Sequence, residues 1–395
     1  MLPFGRMFDY GNIKPVPEPE EFDEVLQQQY YNTLYLHKPT NTLYGYGLNS
    51  NKQLSLLIVP TEFMVLSTDC KKYWTGVFGT LMVSLSNKIY YCGSRIAFPQ
   101  ATTASNTDGW KDVTEYFDAL GVVGDDIKSV YIGASTRVLL NDGRVMCCGN
   151  NAYAECGTGV TGAINTLQFV PQFGTDVKSM YCSTYGTHYI NSRNESYFVG
   201  ENTNGTSGTG TANDSIVAAH TLTARNVKHI STNYNTTWWF FENGDIYWCG
   251  LNNMGQAGNN SVTSGYTLLA VKNTVLSGTI DLPTLKSPSS LSTGYVGAPI
   301  ASYSSRIRNG GINDLGQLGL GTITPFERSW IDMNISIIGT YDDVLTISKD
   351  IRSSMILTKD YKLYACGGYN SNGQSLPDGS YVTSTLKLMA NMPWY

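Results

Sequence analysis

Short apolar runs alternate with polar turn residues along almost the whole chain. One unit has an apolar run at residues 127–132, a second at 138–140 and a third at 145–148, with an Asn-Asp-Gly turn at 141–143. Asp-Gly between two β-rich runs is a strong hairpin signal, because both residues tolerate the positive φ angles of a tight turn. The pattern therefore predicts antiparallel strands joined by short hairpins, a β-meander.

A Gly- and Asn-rich turn follows the third run of each unit. The best-preserved copies begin at Gly311 and Gly250 and share the spacing Gly-x-Asn-x-x-Gly-Gln. Gly and Asn are the residues that a tight turn with positive φ requires. The lead glycines of the seven copies are Gly47, Gly93, Gly149, Gly200, Gly250, Gly311 and Gly367. The Asn and Gln of the two best copies are Asn252, Asn313, Gln256 and Gln317.

The spacing of the copies determines the fold class that we expect. Successive lead glycines lie 46 to 61 residues apart. A period near 50 with three or four strands per unit is typical of propeller blades. We therefore predict an all-β fold, a seven-bladed β-propeller of antiparallel meander blades over residues 27–395. Residues 1–26 would form an extended N-terminal arm and linker.

The repeat turn resembles that of the regulator of chromosome condensation repeat family, whose unit carries a Gly-x-Asn-x-x-Gly-Gln-Leu-Gly turn after a strand. The resemblance covers roughly residues 27–390 and implies the same seven-bladed propeller. In the family the residue before the lead glycine is often Trp. Here four copies have a cysteine instead, which keeps the position apolar: Cys92, Cys148, Cys249 and Cys366.

Several local elements follow from the pattern. Residues 382–388 read as a strand without a blade of its own, so we expect it to close the ring beside the N-terminal hairpin at 33–45. Helical spacing of apolar residues predicts short helices over 20–30 and 111–121. The Gly-, Ser- and Pro-rich stretch 277–299 is predicted to be a protruding loop and a candidate contact surface.

Composition limits the chemistry. Only 14% of residues are charged and the net charge is −5, which argues against a nucleic-acid partner. The eight cysteines show no Cys-x-x-Cys spacing and only four histidines are present, so neither a zinc site nor a disulfide framework is expected. We expect reduced, buried cysteines, as in a protein assembled in the cytosol. No cofactor is predicted.

No catalytic motif is present. The sequence has no Gly-x-Ser-x-Gly elbow, no phosphate-binding loop and no His-Glu-x-x-His. The acid pairs at 125–126 and 342–343 are neighbours in sequence, so on a strand they would point to opposite faces, and both precede predicted strands as turn residues. We therefore predict that the protein is not an enzyme.

The N-terminal segment is rich in aromatic and aliphatic residues and is followed by a Pro-rich linker at 14–19. Charged residues interrupt its apolar positions, so it is not a signal peptide. We predict that it is an anchoring arm that docks on another protein subunit. The segment is also similar to the N-terminal tips of some tailed-bacteriophage virion proteins. Its anchoring residues are Phe4, Phe8, Tyr10 and Ile13.

Three functions are compatible with these features. The first is a non-enzymatic virion component of a tailed bacteriophage (tail, collar, fibre or capsid decoration), assembled in the host cytoplasm, with the propeller as a binding platform and the arm as its anchor. The second is a cytoplasmic exchange factor for a small GTPase or a chromatin-type interaction propeller, as the family resemblance implies. The third is a carbohydrate-binding attachment module, with host-surface or glycan contact through its many tyrosines. No membrane insertion is expected.

Overall fold

The computed structural model describes residues 26–29, 32–107, 109–210, 216–232, 236–265, 301–303, 306–349, 353–368, 376, 382–389 and 392–394. These residues form seven antiparallel sheets, and in each sheet the strands follow one another in chain order. Each sheet carries one lead glycine of the repeat. The predicted fold, an all-β propeller with antiparallel meander blades, is confirmed.

The strands of the first four blades are β1 (Leu26–Gln29), β2 (Asn32–His37), β3 (Thr42–Gly47), β4 (Met64–Ser67), β5 (Lys72–Thr75), β6 (Gly79–Val83), β7 (Ile89–Gly93), β8 (Lys111–Asp112), β9 (Ile127–Ile132), β10 (Ser135–Leu140), β11 (Val145–Gly149), β12 (Ile164–Phe169), β13 (Val177–Cys182), β14 (Gly186–Asn191), β15 (Ser196–Glu201) and β16 (Ile216–Ala224). Those of the last three are β17 (Val227–Thr232), β18 (Thr236–Phe241), β19 (Ile246–Gly250), β20 (Ala301–Tyr303), β21 (Arg306–Ile312), β22 (Phe326–Asp332), β23 (Val344–Lys349), β24 (Ser353–Thr358), β25 (Leu363–Gly368) and β26 (Val382–Leu388).

The hydrophobic core lies between neighbouring blades. The first strands of successive blades lie beside one another, as β5 does beside β9 and β9 beside β13. Between blades 2 and 3, Trp74 and Tyr91 pack against Ile127 and Val138 of the next sheet. Sheet-on-sheet packing of this kind buries the apolar side chains that face each neighbour, so each blade depends on the adjacent ones for its core.

The predicted helix over 111–121 is present as a short strand followed by helix α1 (Thr114–Asp118). Val113 and Phe117 are buried in the core between blades 2 and 3, and Tyr116 and Leu120 pack against the same core. Gly121 follows with a φ of 70°, which suits the end of a helix. The segment packs in the interior, as its apolar face indicates.

The predicted ring closure through a shared sheet is wrong. Strand β26 pairs with β25 in its own blade, and blade 1 builds four strands from its own stretch of chain. The two ends meet through side chains instead: the backbone amide of Gln28 donates to Ser348 Oγ (3.1 Å) and its side-chain amide to Ser353 Oγ (2.9 Å). Blades 1 and 7 also share one hydrophobic core.

The predicted helix over 20–30 is wrong within the described residues. Residues 26–29 form strand β1, whose backbone pairs with residues 32–35 of β2. Pairing with a neighbouring strand satisfies the backbone groups that a helix would satisfy locally, and Leu26 is buried in the core that blades 1 and 7 share. The first described strand of the propeller thus begins at Leu26. The anchoring arm and the predicted loop at 277–299 lie outside the described residues.

The cysteines follow the prediction in part. Cys92, Cys148, Cys249 and Cys366 are free and fully buried, as small apolar residues should be. The expectation that all thiols are reduced is wrong for one pair, because Cys147 and Cys156 form a disulfide. Cys147 lies in β11, and Cys156 lies in the repeat turn that follows this strand. The turn brings the two Cα atoms to within 5.9 Å of each other. Among the described helices, none is long and apolar enough to span a membrane.

Candidate functional site

The lead glycines combine a special backbone conformation with close approach of another chain segment. All seven have positive φ, between 84° and 140°. A Cβ on Gly149 would lie 2.6 Å from the carbonyl oxygen of Ala97 in the preceding blade, and one on Gly200 would lie 2.4 Å from that of Tyr185. Any side chain at these positions would therefore be strained in conformation and would clash with backbone.

A buried asparagine holds each well-preserved repeat turn together. The Asn313 Oδ1 accepts the backbone amide of Leu318 (3.1 Å), and its Nδ2 donates to the carbonyl of Thr322 (3.1 Å). Asn252 makes the same two bonds, to Ala257 and Ser261. The side-chain amide thus satisfies backbone groups inside the turn that would otherwise be buried without partners. Equivalent bonds to the amide five residues later are made by Asn49, Asn151 and Asn202.

The glutamine of the turn connects neighbouring blades. The Gln317 Oε1 accepts the amide of Leu315 (2.8 Å), which fixes the turn, while its backbone carbonyl accepts the hydroxyl of Ser354 in the next blade (2.7 Å). The thiol of Cys366 donates a hydrogen bond to the same carbonyl (3.6 Å). The Gln256 Oε1 accepts the amide of Met254 (2.8 Å). The repeat turn of one blade therefore packs on the strands of the next blade. The cysteine that precedes the lead glycine of that next blade contacts the turn.

The connections divide the propeller into two faces. We call the face that carries the long connections after the third strands the repeat-turn face; the described residues of these connections are 48–63, 94–107, 109–110, 150–163, 202–210, 251–265, 313–325 and 376. We call the opposite one the hairpin face; it carries the turns between second and third strands and the connections to the next blade. This follows from strand order alone, since the strands alternate in direction.

The repeat-turn face exposes aliphatic side chains. The segment 57–59 (Leu-Ile-Val) is the largest group, with Leu57 82% exposed. The Asn49 side chain binds the backbone carbonyls of Leu56 (2.7 Å) and Ile58 (2.8 Å), which leaves the side chains of 57–59 on the surface. Asn151 binds the carbonyl of Val160 in the same way. Other exposed aliphatic residues of this face are Ile96, Val160, Val262 and Ile323.

Charge is concentrated on the hairpin face. The ion pairs there include Arg144–Asp142 (2.7 Å), Lys362–Asp360 (2.8 Å) and the contacts of Glu195 with two arginines. In the described loops of the repeat-turn face the charged residues are Lys52, Glu62, Arg95, Glu155 and Asp314. Glu155 is buried and Asp314 accepts a hydrogen bond from Gln317. In their described residues the two faces thus differ in polarity.

Each acid pair lies in a single turn of 3-10 helix, Gly124–Asp126 and Tyr341–Asp343, directly before a strand, as interpreted from the sequence. Asp125 pairs with Lys71 and accepts a hydrogen bond from Asn87, both of which lower the pKa of its carboxyl group. Asp343 accepts two hydrogen bonds from Thr340, and these lower its pKa. In the part of the chain that the structure describes, no group of His, Cys, Asp and Glu side chains is arranged to hold a metal ion.

Sequence reasoning missed several buried polar side chains between blades. The guanidinium of Arg137 is fully buried and donates to the carbonyl of Gly186 (2.9 Å) and to Thr187 Oγ1 (2.7 Å). Burial lowers the pKa of His188 to about 3 and that of His229 to about 4, so both stay neutral. These residues stand in ordinary strand patterns, and no local signal distinguishes them.

Comparison with known proteins shows similarity at the level of fold. A search against protein-family models gives no match. A search of curated proteins likewise gives none. Among solved structures, yeast RCC1 (Prp20) in complex with Kap60 superposes with a TM-score of 0.72 at 12% identity, over 100% of this chain and 92% of that chain. Human WBSCR16 superposes with a TM-score of 0.63 at 17% identity, over 85% and 86% of the two chains.

A third structure, Prp20p from Saccharomyces cerevisiae, covers 93% of this chain and 77% of that chain with a TM-score of 0.50 at 12% identity. These structures support an RCC1-like β-propeller, as the repeat turn predicted. At such low identity the likeness establishes the fold alone. It gives no support to the similarity with phage virion proteins.

Proposed function

We propose that this chain is a non-enzymatic interaction propeller that docks on an apolar surface of another protein through its repeat-turn face, with the segment 57–59 as the central contact. The observation that carries the proposal is the polarity difference between the faces. The described loops of the repeat-turn face expose aliphatic side chains and carry few charged residues, of which Lys52 and Glu62 lie near the segment 57–59, whereas ion pairs lie at the turns of the hairpin face.

Exposed aliphatic side chains in consecutive positions are unusual on a folded surface unless they contact a partner. Burial stabilises a complex by roughly 25 cal/mol per Å² of apolar surface, so covering the side chains of 57–59 would contribute a few kcal/mol before association entropy is subtracted. The scarcity of charge in the described loops of this face favours a partner surface that also carries few charges, because unpaired charges would lose hydration on docking.

This proposal is closest to the second of the three functions considered from the sequence. The fold is that of RCC1-like propellers, and one of the compared structures is described as yeast RCC1 bound to Kap60. A protein partner also agrees with the net charge of −5, which disfavours nucleic acid. A virion component would also bind a protein partner, namely another subunit of the particle. A glycan-binding module would instead contact its ligand with aromatic side chains, and those exposed on this face are aliphatic.

Site-specific photo-crosslinking tests the proposal. A photoreactive amino acid at position 57 should capture a partner in cells that produce the chain naturally, and the same group at Leu85 should not. Leu85 is the matched control, because it is 53% exposed and lies in a hairpin on the opposite face. The triple variant Leu57→Ser, Ile58→Ser and Val59→Ser should lose the partner while its melting temperature stays unchanged. Equal capture at both positions would refute the proposal.

A further inference from the structure

Two reactive side chains meet at the buried junction of blades 6 and 7. Lys349 is the last residue of β23, the first strand of blade 7, and Asn309 lies in β21 of blade 6. The Lys349 Nζ is 3.0 Å from Asn309 Oδ1 and 3.3 Å from the carbonyl oxygen of Gly310. Asn309 is fully buried and Lys349 almost fully so. The amine is thus held against a carboxamide where water has little access.

The amine has the protonation state that a nucleophile needs. Burial lowers the pKa of Lys349 to about 7, from an ordinary value of 10.5. About half of the molecules therefore carry a neutral amine near pH 7, whereas an exposed lysine would be almost wholly protonated. Only the neutral amine has a free electron pair for attack on a carbonyl carbon.

Among the described residues, a hydrogen bond holds the oxygen atom of the Asn309 carboxamide, and none holds its nitrogen atom. Within the described residues, the Nδ2 atom of Asn309 is buried without a hydrogen-bond partner. An unsatisfied buried amide nitrogen is rare in folded proteins and calls for an explanation. A nitrogen that leaves as ammonia during a reaction needs no permanent partner.

We propose that Lys349 and Asn309 form an intramolecular isopeptide bond that joins blades 6 and 7 covalently. The Nζ electron pair attacks Cγ of Asn309 and forms the new C–N bond. The Cγ–Nδ2 bond breaks, one proton passes from Nζ to Nδ2, and ammonia leaves. No oxidant or other co-reactant is consumed. The product is a secondary amide between the two side chains.

The fold supplies the conditions for this reaction. Both residues lie on paired strands, so the reacting atoms stay close together without further loss of entropy. Burial excludes water, which would otherwise hydrate the amine and compete for the carbonyl. The bond would close a loop of the chain between neighbouring blades and so restrict the unfolded state, as a disulfide does. This covalent tie is independent of the proposed docking face.

Intact-mass spectrometry of the purified full-length chain tests the proposal. The mass should be lower than the sequence mass, corrected for the disulfide, by one ammonia molecule. Trypsin should then release a branched peptide in which Lys349 is linked to Asn309 and is no longer a cleavage site. The loss should proceed faster at pH 8 than at pH 6, because more of the amine is neutral at the higher pH.

Variants separate the bond from a competing reaction. Asn309 precedes Gly310, and an Asn-Gly pair can also lose ammonia by forming a succinimide on its own backbone. Lys349→Met should abolish the mass loss if the isopeptide bond forms, whereas a succinimide would persist. Lys362→Met is the control, because Lys362 is exposed on the hairpin face and should leave the mass loss intact. An unmodified mass after prolonged incubation at pH 8, or a mass loss that survives Lys349→Met, overturns the proposal.

Discussion

The indole ring of Trp394, almost the last residue of the chain, packs against the phenol ring of Tyr35 in the first blade, with the ring centroids 4.3 Å apart. The Trp394 Nε1 donates to the carbonyl of Tyr361 in the last blade (3.0 Å). One side chain therefore touches both ends of the propeller. Met389 and Met392 are buried in the same core. The C-terminal tail thus helps to close the ring, together with the hydrogen bonds of Gln28 to Ser348 and Ser353, and no sheet is shared.

We expect Trp394→Ala to weaken the closure of the ring. The substitution removes the contacts with Tyr35, Tyr44 and Phe63 and the hydrogen bond to Tyr361. Because the indole is only partly buried, the loss should be about 2–4 kcal/mol, in the lower range for truncation of a large aromatic residue. Urea unfolding followed by fluorescence or circular dichroism measures it.

The control for this prediction is Pro393→Ala, which changes an exposed neighbour and should alter stability by less than about 0.5 kcal/mol. Deleting residues 389–395 should destabilise the propeller more than Trp394→Ala, since the two methionines are lost as well. Unchanged stability after this deletion would mean that the tail does not close the ring.

Asn313→Ala should destabilise the protein by roughly 2–4 kcal/mol. It leaves the buried amide of Leu318 and the carbonyl of Thr322 without their partner, and an unsatisfied buried polar group costs about 1–3 kcal/mol. The control is Asn334→Ala, at an exposed position whose side chain accepts one local hydrogen bond. Equal losses in thermal or urea unfolding for the two variants would show that the buried asparagine is not the element that holds the repeat turn.

Stability should fall as the pH decreases from about 6.5 to 5. His188 is buried and His229 partly buried, and both are neutral in the folded state, with pKa values lowered by burial to about 3 and about 4, while the unfolded chain has the ordinary value of 6.5. Below pH 6.5 the unfolded state binds more protons, so folding loses about 1.4 kcal/mol per pH unit for each histidine. The contribution is fully present above pH 6.5.

The measurement is the free energy of unfolding between pH 7.5 and pH 5, a range in which most carboxyl groups stay ionised. His229→Gln should reduce the slope by about one histidine's share. The control His37→Gln should reduce it less, because His37 is much less buried and its pKa is lowered to a smaller extent. A slope that is the same in all three proteins would contradict the assignment.

The N-terminal arm remains a prediction from the sequence. Deleting residues 1–17 removes Phe4, Phe8, Tyr10 and Ile13, which we expect to contact another protein subunit. The melting temperature should stay unchanged, because all the described strands lie after residue 25, while incorporation into the native assembly should be lost. Size-exclusion chromatography of cell extracts measures the second effect. A destabilised propeller that still incorporates would show that the arm packs on its own propeller.

The sequence by itself determined the repeating architecture. Hairpin turns, alternating strands and lead glycines depend on local backbone geometry, so their residue types can be recognised without a structure. Gly149, Gly250 and Gly311 have the positive φ that their turns require. The burial of the cysteine before the lead glycine was also predictable, because this position is apolar in six of the seven copies; the exception is Gly310, before Gly311.

Only the tertiary structure decided which segments meet across the fold. The closing contact of Trp394, the Cys147–Cys156 disulfide and the burial of Lys349 against Asn309 each join positions whose surroundings come from elsewhere in the chain. The segment 57–59 has the same apolar character as a core strand, and its exposure follows from the bonds that Asn49 makes to its backbone. Local patterns report how a segment folds; its partners depend on the free energy of packing the whole ring.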